Sequence, residues 1–149
     1  MKICFLNGDY DIPVLGHEGC SIHVRELAYG FKEAGHEVFV VCSNLGAGHG
    51  MPGNIPVLAV EPGGIDAAHW AALEADDVVQ QQNLSRDLRS VLFNGWLLEQ
   101  GAEIFARENP DFIYERHSLF SGAGWKLSRR FNIPLIVEVN APICDEQAG

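Results

Sequence analysis

Positively charged residues are scarce in this chain of 149 residues. Ten lysines and arginines stand against twenty aspartates and glutamates, which gives a formal net charge of −10 and an isoelectric point near 4.9. Nucleic acids and anionic lipid surfaces bind proteins through clustered cations, so an acidic chain is a poor candidate for either partner. We therefore expect no nucleic-acid partner.

Long hydrophobic runs and paired cysteines are missing as well. No stretch reaches the ~18 consecutive apolar residues of a membrane-spanning helix, and the apolar run near the N-terminus is too short for a secretory signal. We therefore expect a cytoplasmic protein without a transmembrane segment. The four cysteines, at 4, 20, 42 and 144, form no C-x-x-C pair and show no metal-ligand spacing. The sequence thus predicts reduced thiols, no metal site and no cofactor.

Several catalytic motifs are absent too. The chain contains no G-x-x-x-x-G-K-[ST], no H-E-x-x-H and no G-x-S-x-G, which excludes P-loop proteins, zincin proteases and α/β-hydrolases. Gly48 to Gly53 matches the G-x-G-x-x-G string of dinucleotide sites. The string contains Pro52 and precedes a predicted strand instead of a helix, so we interpret it as a surface loop.

The composition that is present, 47% apolar and 20% charged, is typical of one soluble globular domain. Five short apolar or β-branched segments predict strands, and helical spacing of apolar residues lies between several of them. This alternation predicts a single-domain α/β fold with a Rossmann-like, doubly wound parallel sheet. The predicted strands are Lys2–Asn7, Glu37–Cys42, Pro56–Val60, Asp111–Glu115 and Pro134–Val139.

The helix boundaries follow from local signals. Ser21 is predicted to cap the first helix and Gly35 to end it, with Arg25 on its solvent face. A long second helix is predicted from a Ser85 cap to Asn109, where the following proline closes it. Apolar spacing over Phe120–Phe131 predicts a third helix.

Ligands of open parallel sheets bind at the loops that follow the carboxyl ends of the strands. The first such loop carries Gly16 and Gly19 ahead of a helix. These glycines either bring backbone N–H groups close to an anion at the helix N-terminus or only allow the loop to turn. Two later loops begin at Arg116 and at Asn140.

His117 lies directly after the fourth predicted strand. This position favours a role in the site over a role as a hydrogen-bonded core histidine. Arg116, just before it, is equally compatible with the site and with a surface ion pair.

Two blocks of the chain resemble the family 4 glycosyltransferases. The first comprises the glycine loop, a helix with the pattern H-V-x-x-L-A, and G-H-E-V before the second strand. The second comprises Y-E-R after the fourth strand and E-V-N-A-P at the fifth. In this chain the blocks are Gly16, Gly19, His23–Ala28, Gly35–Val38, Tyr114–Arg116 and Glu138–Pro142.

The resemblance implies a retaining sugar transferase of the GT-B architecture, in which two Rossmann-like domains face each other across a cleft. Residues 1–149 would form the N-terminal, acceptor-side domain, and the C-terminal domain that grips the nucleotide-sugar donor would lie outside this chain. The resemblance therefore implies a nucleotide-sugar donor and an acceptor that is a sugar, a lipid or another small molecule. We expect these residues alone to be inactive.

The resemblance also implies roles by position. Gly16 and Gly19 would approach the donor diphosphate. His117 would be the catalytic residue near the reacting sugar, with Arg116 beside it, and Glu138 and Asn140 would border the acceptor. Two other hypotheses stay open: a non-catalytic α/β module that binds a nucleotide or sugar, and part of a nucleotide-sugar epimerase.

Overall fold

The computed structural model of the chain describes residues 1–48, 50–63, 68–69, 71–72, 75 and 83–140. One parallel sheet comprises β1 (Lys2–Asn7), β2 (Glu37–Cys42), β3 (Val57–Ala59), β4 (Phe112–Arg116) and β5 (Leu135–Glu138). The long helices in the described ranges are α1 (Gly19–Glu33), α2 (Asn83–Glu108) and α3 (Ala123–Phe131). The predicted single α/β domain is confirmed, and each strand boundary lies within one residue of its predicted position.

The strands lie in the order β3-β2-β1-β4-β5, so the order reverses between β1 and β4. Strand β1 is central and is buried on both of its faces. Ile3 and Phe5 point to one core, whereas Cys4 and Leu6 point to the other, and all four are fully buried. A strand covered on both sides has no solvent-facing positions, which is why its sequence is apolar without alternation.

Helices cover both faces of the sheet, as a doubly wound fold requires. Val24 and Ala28 of α1 pack in the core that contains Phe5. The opposite core contains Phe105 of α2 and Leu127 of α3. Burying one such large apolar side chain contributes roughly 1.5–3 kcal/mol to stability, so the two cores hold the helices against the sheet.

The predicted helix starts are wrong by two or three residues. Helix α1 begins at Gly19 with Glu18 as its N-cap, and Ser21 lies within its first turn. The Ser21 hydroxyl is buried without a hydrogen-bond partner, so it does not cap the helix. Ser85 lies inside α2, and α3 begins at Ala123 instead of Phe120.

Two further predictions concern loops. Pro52–Asn54 forms a short 3-10 turn that leads into β3, so no long helix opens after the G-x-G-x-x-G string in the described residues. His49 of that string, and Ala141 and Pro142 after β5, lie outside the described residues. Among the helices in the described ranges, none combines the length and apolarity needed to cross a bilayer.

Candidate functional site

The last residues of four strands form a row along the carboxyl edge of the sheet. Asn7 of β1 is in register with Cys42 of β2 on one side and with Arg116 of β4 on the other. Arg116 is in turn in register with Glu138 of β5. Asn7 and Arg116 therefore mark the place where the strand order reverses, and this is where open parallel sheets bind their ligands.

The loop after β1 is tight at Gly16. Its N–H donates to the Pro13 carbonyl at 2.9 Å, which closes a turn. A Cβ atom at this position would lie 2.7 Å from the Pro13 ring and 2.8 Å from the Ser21 hydroxyl. Only glycine fits this turn without displacing its neighbours.

Gly19 differs from Gly16 because it is exposed. It is the first residue of α1, and a Cβ atom there would meet nothing within 4 Å. The Glu18 side chain makes no capping hydrogen bond at this helix N-terminus. The space above Gly19 is thus open, and the first N–H groups of α1 and the positive end of its dipole face that space.

Arg25 holds the glycine loop in place, although the sequence predicted it on the solvent face of α1. The guanidinium is partly buried and Nη1 donates to the carbonyls of Val14 at 2.7 Å and Gly16 at 2.6 Å. Hydrogen bonds from a charged donor are stronger than neutral ones, so this side chain fixes the loop to the helix. Helical periodicity alone could not reveal it, because the loop folds back over α1.

A hydrogen bond between His23 and Glu138 joins the two blocks that carried the family resemblance. His23 Nε2 lies 2.6 Å from Glu138 Oε1, which joins the second turn of α1 to the end of β5. The His23 imidazole is 44% exposed and the Glu138 side chain 14% exposed. His23 is therefore a site residue that sequence reasoning missed, and its only signal was its place in the H-V-x-x-L-A pattern.

Three buried polar atoms in this row have no hydrogen-bond partner among the described residues: Oδ1 of Asn7, Nε of Arg116 and Oε2 of Glu138. Arg116 and Glu138 are register partners on neighbouring strands, so their side chains leave the sheet on the same face, toward α1. Buried polar atoms are almost always hydrogen-bonded, so this donor and this acceptor are available for a ligand.

Tyr114 lies on the same face of β4, two residues before Arg116. Its ring packs against Phe5 and Phe31, with ring centroids 5.4 and 5.2 Å apart. Burial, followed by the nearby Glu138 carboxylate, raises the pKa of the Tyr114 phenol. The phenol therefore stays protonated at neutral pH.

His117 and Asn140 differ in how firmly the fold holds them. His117 is half-buried directly after β4, and its backbone N–H donates to the Glu138 carbonyl at 2.9 Å. Asn140 is exposed two residues beyond β5. The structure thus places the backbone of His117 beside Arg116 and Glu138, and His117 also acts on the Glu115 carboxylate, while Asn140 lies at the outer rim.

Glu115 points to the opposite face and caps α3. Its carboxylate is buried and accepts hydrogen bonds from the Ser121 hydroxyl and the Gly124 N–H. The N–H groups of Gly122 and Ala123 bind Oδ1 of Asn94 on α2, at 3.1 and 2.8 Å. Protein groups therefore fill the N-terminus of α3, whereas the N-terminus of α1 faces open space.

Burial raises the pKa of Glu115, although the hydrogen bond from Ser121, the nearby His117 and the hydrogen bond from the Gly124 N–H each lower it. The folded state therefore holds this proton to higher pH than the unfolded chain does, and stability falls as the pH rises through the folded pKa. We therefore expect the unfolding free energy of Glu115→Gln to rise relative to that of wild type when the pH is raised from 4.5 to 7.5. Urea unfolding at both pH values measures this shift. Glu103→Gln, on the exposed surface of α2, is the control and should show no such trend.

Phe120 occupies the turn between β4 and α3 in an uncommon conformation. Its φ of 58° lies in the left-handed region, and its side chain is 50% exposed. The sequence predicted Phe120 on the buried face of a helix, which is wrong because α3 begins three residues later. Strained residues of this kind cluster at ligand sites, so Phe120 is a further candidate for substrate contact.

Two buried cysteines, Cys4 and Cys42, supply no nucleophile here. Burial raises the pKa of Cys42 to about 12 and that of Cys4 well above its usual range, so both thiols are protonated at neutral pH. Within the part of the chain that the structure describes, His, Cys, Asp and Glu side chains form no group of three that could hold a metal ion. Cys144 lies outside that part.

Solved structures with this fold include a glycosyltransferase and a protein solved with UDP. The SsfS6 glycosyltransferase of Streptomyces sp. SF2575, complexed with thymidine diphosphate, superposes with a TM-score of 0.58 and 17% identity over 93% of this chain and 38% of its own. TcCGT1 in complex with UDP gives 0.59 and 14% identity over 94% of this chain and 28% of its own. The chain therefore spans less than two-fifths of either protein.

The fold alone does not select a function. The C-terminal domain of the PF1911 hydrogenase from Pyrococcus furiosus also superposes, with a TM-score of 0.51 and 12% identity over 93% of this chain and 90% of its own. Among curated proteins, none matches the chain.

The sequence profile of the glycosyl transferase 4-like domain matches residues 18–149. That range contains α1, the Y-E-R strand and the E-V-N block, so the chain belongs to the glycosyl transferase 4-like family, and its Rossmann-like α/β fold matches that of a GT-B half-domain.

Proposed function

We propose that this chain is the acceptor-side domain of a glycosyltransferase that moves a sugar from a nucleotide-sugar donor to a hydroxyl-bearing acceptor. The observation that carries the proposal is a buried donor and a buried acceptor without partners on neighbouring strands of the carboxyl edge, Arg116 Nε and Glu138 Oε2. A hydroxyl group can accept a hydrogen bond from the first and donate one to the second. Glu138 thus borders the acceptor, with Asn140 at the rim.

The donor diphosphate would approach α1 over the glycine loop. Gly19 leaves the helix N-terminus open to an anion, and Gly16 shapes the turn that precedes it. His117 would stand beside the reacting sugar, where it stabilises the charge that develops on the leaving group. We assign no protein nucleophile. We also propose that the transfer retains the configuration of the anomeric carbon of the donor sugar.

A second domain is part of the proposal. The two matched proteins are solved with thymidine diphosphate and UDP, and this acidic chain spans less than two-fifths of each. We therefore propose that cationic groups outside these residues hold most of the diphosphate. The 149 residues alone should show weak nucleotide affinity and little transfer. Calorimetric binding of a nucleotide sugar to them at micromolar concentration would contradict this expectation.

The decisive experiment incubates the complete protein with UDP- and TDP-sugars and a panel of hydroxylated acceptors. NMR of the product reads both transfer and anomeric configuration. A glycoside with the donor's configuration supports the proposal, and a glycoside of inverted configuration overturns retention only. An isomerised nucleotide sugar without acceptor consumption points to an epimerase. Nucleotide-sugar binding without turnover points to a non-catalytic module.

Gly19 provides a separate test of the donor position. Because an added Cβ meets nothing within 4 Å, Gly19→Ala should leave the unfolding free energy within about 0.5 kcal/mol of wild type. The methyl group would occupy the space proposed for the diphosphate, so the KM for the donor should rise roughly tenfold or more, a loss of about 1.4 kcal/mol in binding. Gly30→Ala, in open space further along α1, is the matched control. An unchanged donor KM in Gly19→Ala would place the diphosphate elsewhere.

A further inference from the structure

Arg116 lies between two hydrogen-bond acceptors in the row at the carboxyl edge and pairs with neither. Asn7 of β1 and Glu138 of β5 are its register partners on either side, so all three side chains leave the sheet on one face. Asn7 Oδ1, Arg116 Nε and Glu138 Oε2 are nevertheless buried without partners among the described residues. Burying an unpaired charge is costly, so opposite charges on neighbouring strands normally pair. Their separation here therefore needs a cause.

Both neighbours of Arg116 are bound to groups outside the row. Asn7 Nδ2 donates to the Ile12 carbonyl at 2.8 Å, in the loop after β1. Glu138 Oε1 lies 2.6 Å from His23 Nε2 on α1. Each side chain thus uses one of its two polar atoms on an outside partner and keeps the other free. No ion pair joins Arg116 to Glu138, although the structure describes both.

The contact from His23 is specific to Glu138. The His23 imidazole has no other hydrogen-bond or ion-pair partner among the described residues, and its exposed side chain is not a member of either core. Tyr114 also interacts with the Glu138 carboxylate, but it does so from β4, the strand that carries Arg116. His23 is therefore the partner that holds the carboxylate from outside the sheet.

We infer that His23 is a positioning residue, which binds Glu138 Oε1 and thereby keeps this carboxylate from pairing with the Arg116 guanidinium. Arg116 Nε and Glu138 Oε2 then stay available to a hydroxyl group of a ligand. Without the imidazole, the two charged groups pair with each other and close the place proposed for the acceptor. The inference rests on the proposed function for the identity of the ligand, whereas the arrangement of the three side chains can be tested without it.

The first test compares crystal structures of the 149-residue chain and its His23→Leu variant, without nucleotide or acceptor. Leucine offers no hydrogen bond, so Glu138 should turn to Arg116 and form an ion pair with an N···O distance of roughly 2.7–2.9 Å. His23→Gln should keep the wild-type arrangement, because its amide can donate to Oε1. A His23→Leu structure in which no Arg116–Glu138 pair forms overturns the inference.

The second test measures initial rates of the complete protein with varied donor and acceptor. His23→Leu should raise the KM for the acceptor about tenfold and leave the KM for the donor and the thermal midpoint unchanged. A merely structural role would shift all three quantities. His23→Gln should restore most of the acceptor affinity. His36→Leu, at the opposite edge of the sheet, is the matched control and should behave as wild type.

Arg116 provides a double-variant test of the same mechanism. If His23 acts by keeping Glu138 from Arg116, its loss has no consequence once the guanidinium is gone. Adding His23→Leu to Arg116→Leu should therefore leave the acceptor KM of the single Arg116→Leu variant unchanged. A further tenfold rise would show that His23 acts on the acceptor directly, and it would overturn the positioning role.

The two proposals can fail separately. If the complete protein transfers no sugar, the comparison of the His23→Leu and wild-type crystal structures still decides whether His23 keeps Glu138 from Arg116. If His23→Leu forms no such pair, or if His23→Gln loses as much acceptor affinity as His23→Leu, the positioning role is wrong. Transfer by the wild-type protein would stand in either case.

Discussion

Replacing Gly124 with alanine is expected to lower the unfolding free energy by roughly 2–4 kcal/mol. Gly124 is the second residue of α3 and lies directly over the buried Glu115 carboxylate. A Cβ atom there would stand 2.6 Å from the carboxyl carbon of Glu115, and closer still to Oε2. The carboxylate would have to move away from the α3 N–H groups while remaining buried, which removes hydrogen bonds from a charged group that cannot reach water.

The same substitution at Gly95 is the control, because it is the same chemical change inside a helix. Gly95 lies in α2 with open space around its Cα, so alanine there should raise stability by about 0.5–1 kcal/mol through helix propensity. Urea unfolding followed by circular dichroism measures both variants. Glu115→Ala combined with Gly124→Ala should cost less than the sum of the single variants, since the first removes the atoms that clash. Equal effects at Gly124 and Gly95 would show that Glu115 does not constrain α3.

His117→Ala in the complete protein is expected to lower kcat by about 100-fold or more, the usual effect of losing one group that stabilises transition-state charge. His117 follows β4 at the point where the strand order reverses, and its backbone is fixed by the hydrogen bond to the Glu138 carbonyl. Removal of the imidazole should therefore leave the backbone of the site intact. Initial rates with a saturating donor, together with the thermal midpoint, separate lost chemistry from lost folding.

His36 supplies the matched control for this experiment. It is also partly buried, but it precedes β2 and therefore lies at the amino edge of the sheet, away from the proposed site. His36→Ala should keep wild-type kcat. If His117→Ala retains full turnover, His117 is not part of the transfer site. If both variants lose turnover and thermal midpoint together, the loss reflects folding.

The strand boundaries could be predicted to within one residue, because each strand is a short apolar run that can be recognised from local composition alone. The helix ends could not. Asn94 and Glu115 cap α3 from elements that are distant along the chain, so the local pattern at Phe120 suggested an earlier start. Ser21 has the residue type of a cap, but the turn at Gly16 places its hydroxyl inside the loop packing instead.

For the candidate site, sequence reasoning located the edge but not the contacts. The rule that ligands bind at the carboxyl ends of strands was enough to select Gly16, Gly19, Arg116 and His117 as candidates. It could not pair His23 with Glu138, which are 115 positions apart. Nor could it show that Arg25 turns back to the glycine loop, because that depends on how the loop packs on α1.

By itself, the sequence determined the order of strands and helices, the acidic surface and the family, since all three depend on local pattern and composition. Only the tertiary structure decided which groups meet at the carboxyl edge. It left Asn7 Oδ1, Arg116 Nε and Glu138 Oε2 without partners among the described residues and filled the N-terminus of α3. The physical reason is that hydrogen bonds and burial depend on distances between residues far apart along the chain, which local periodicity does not encode.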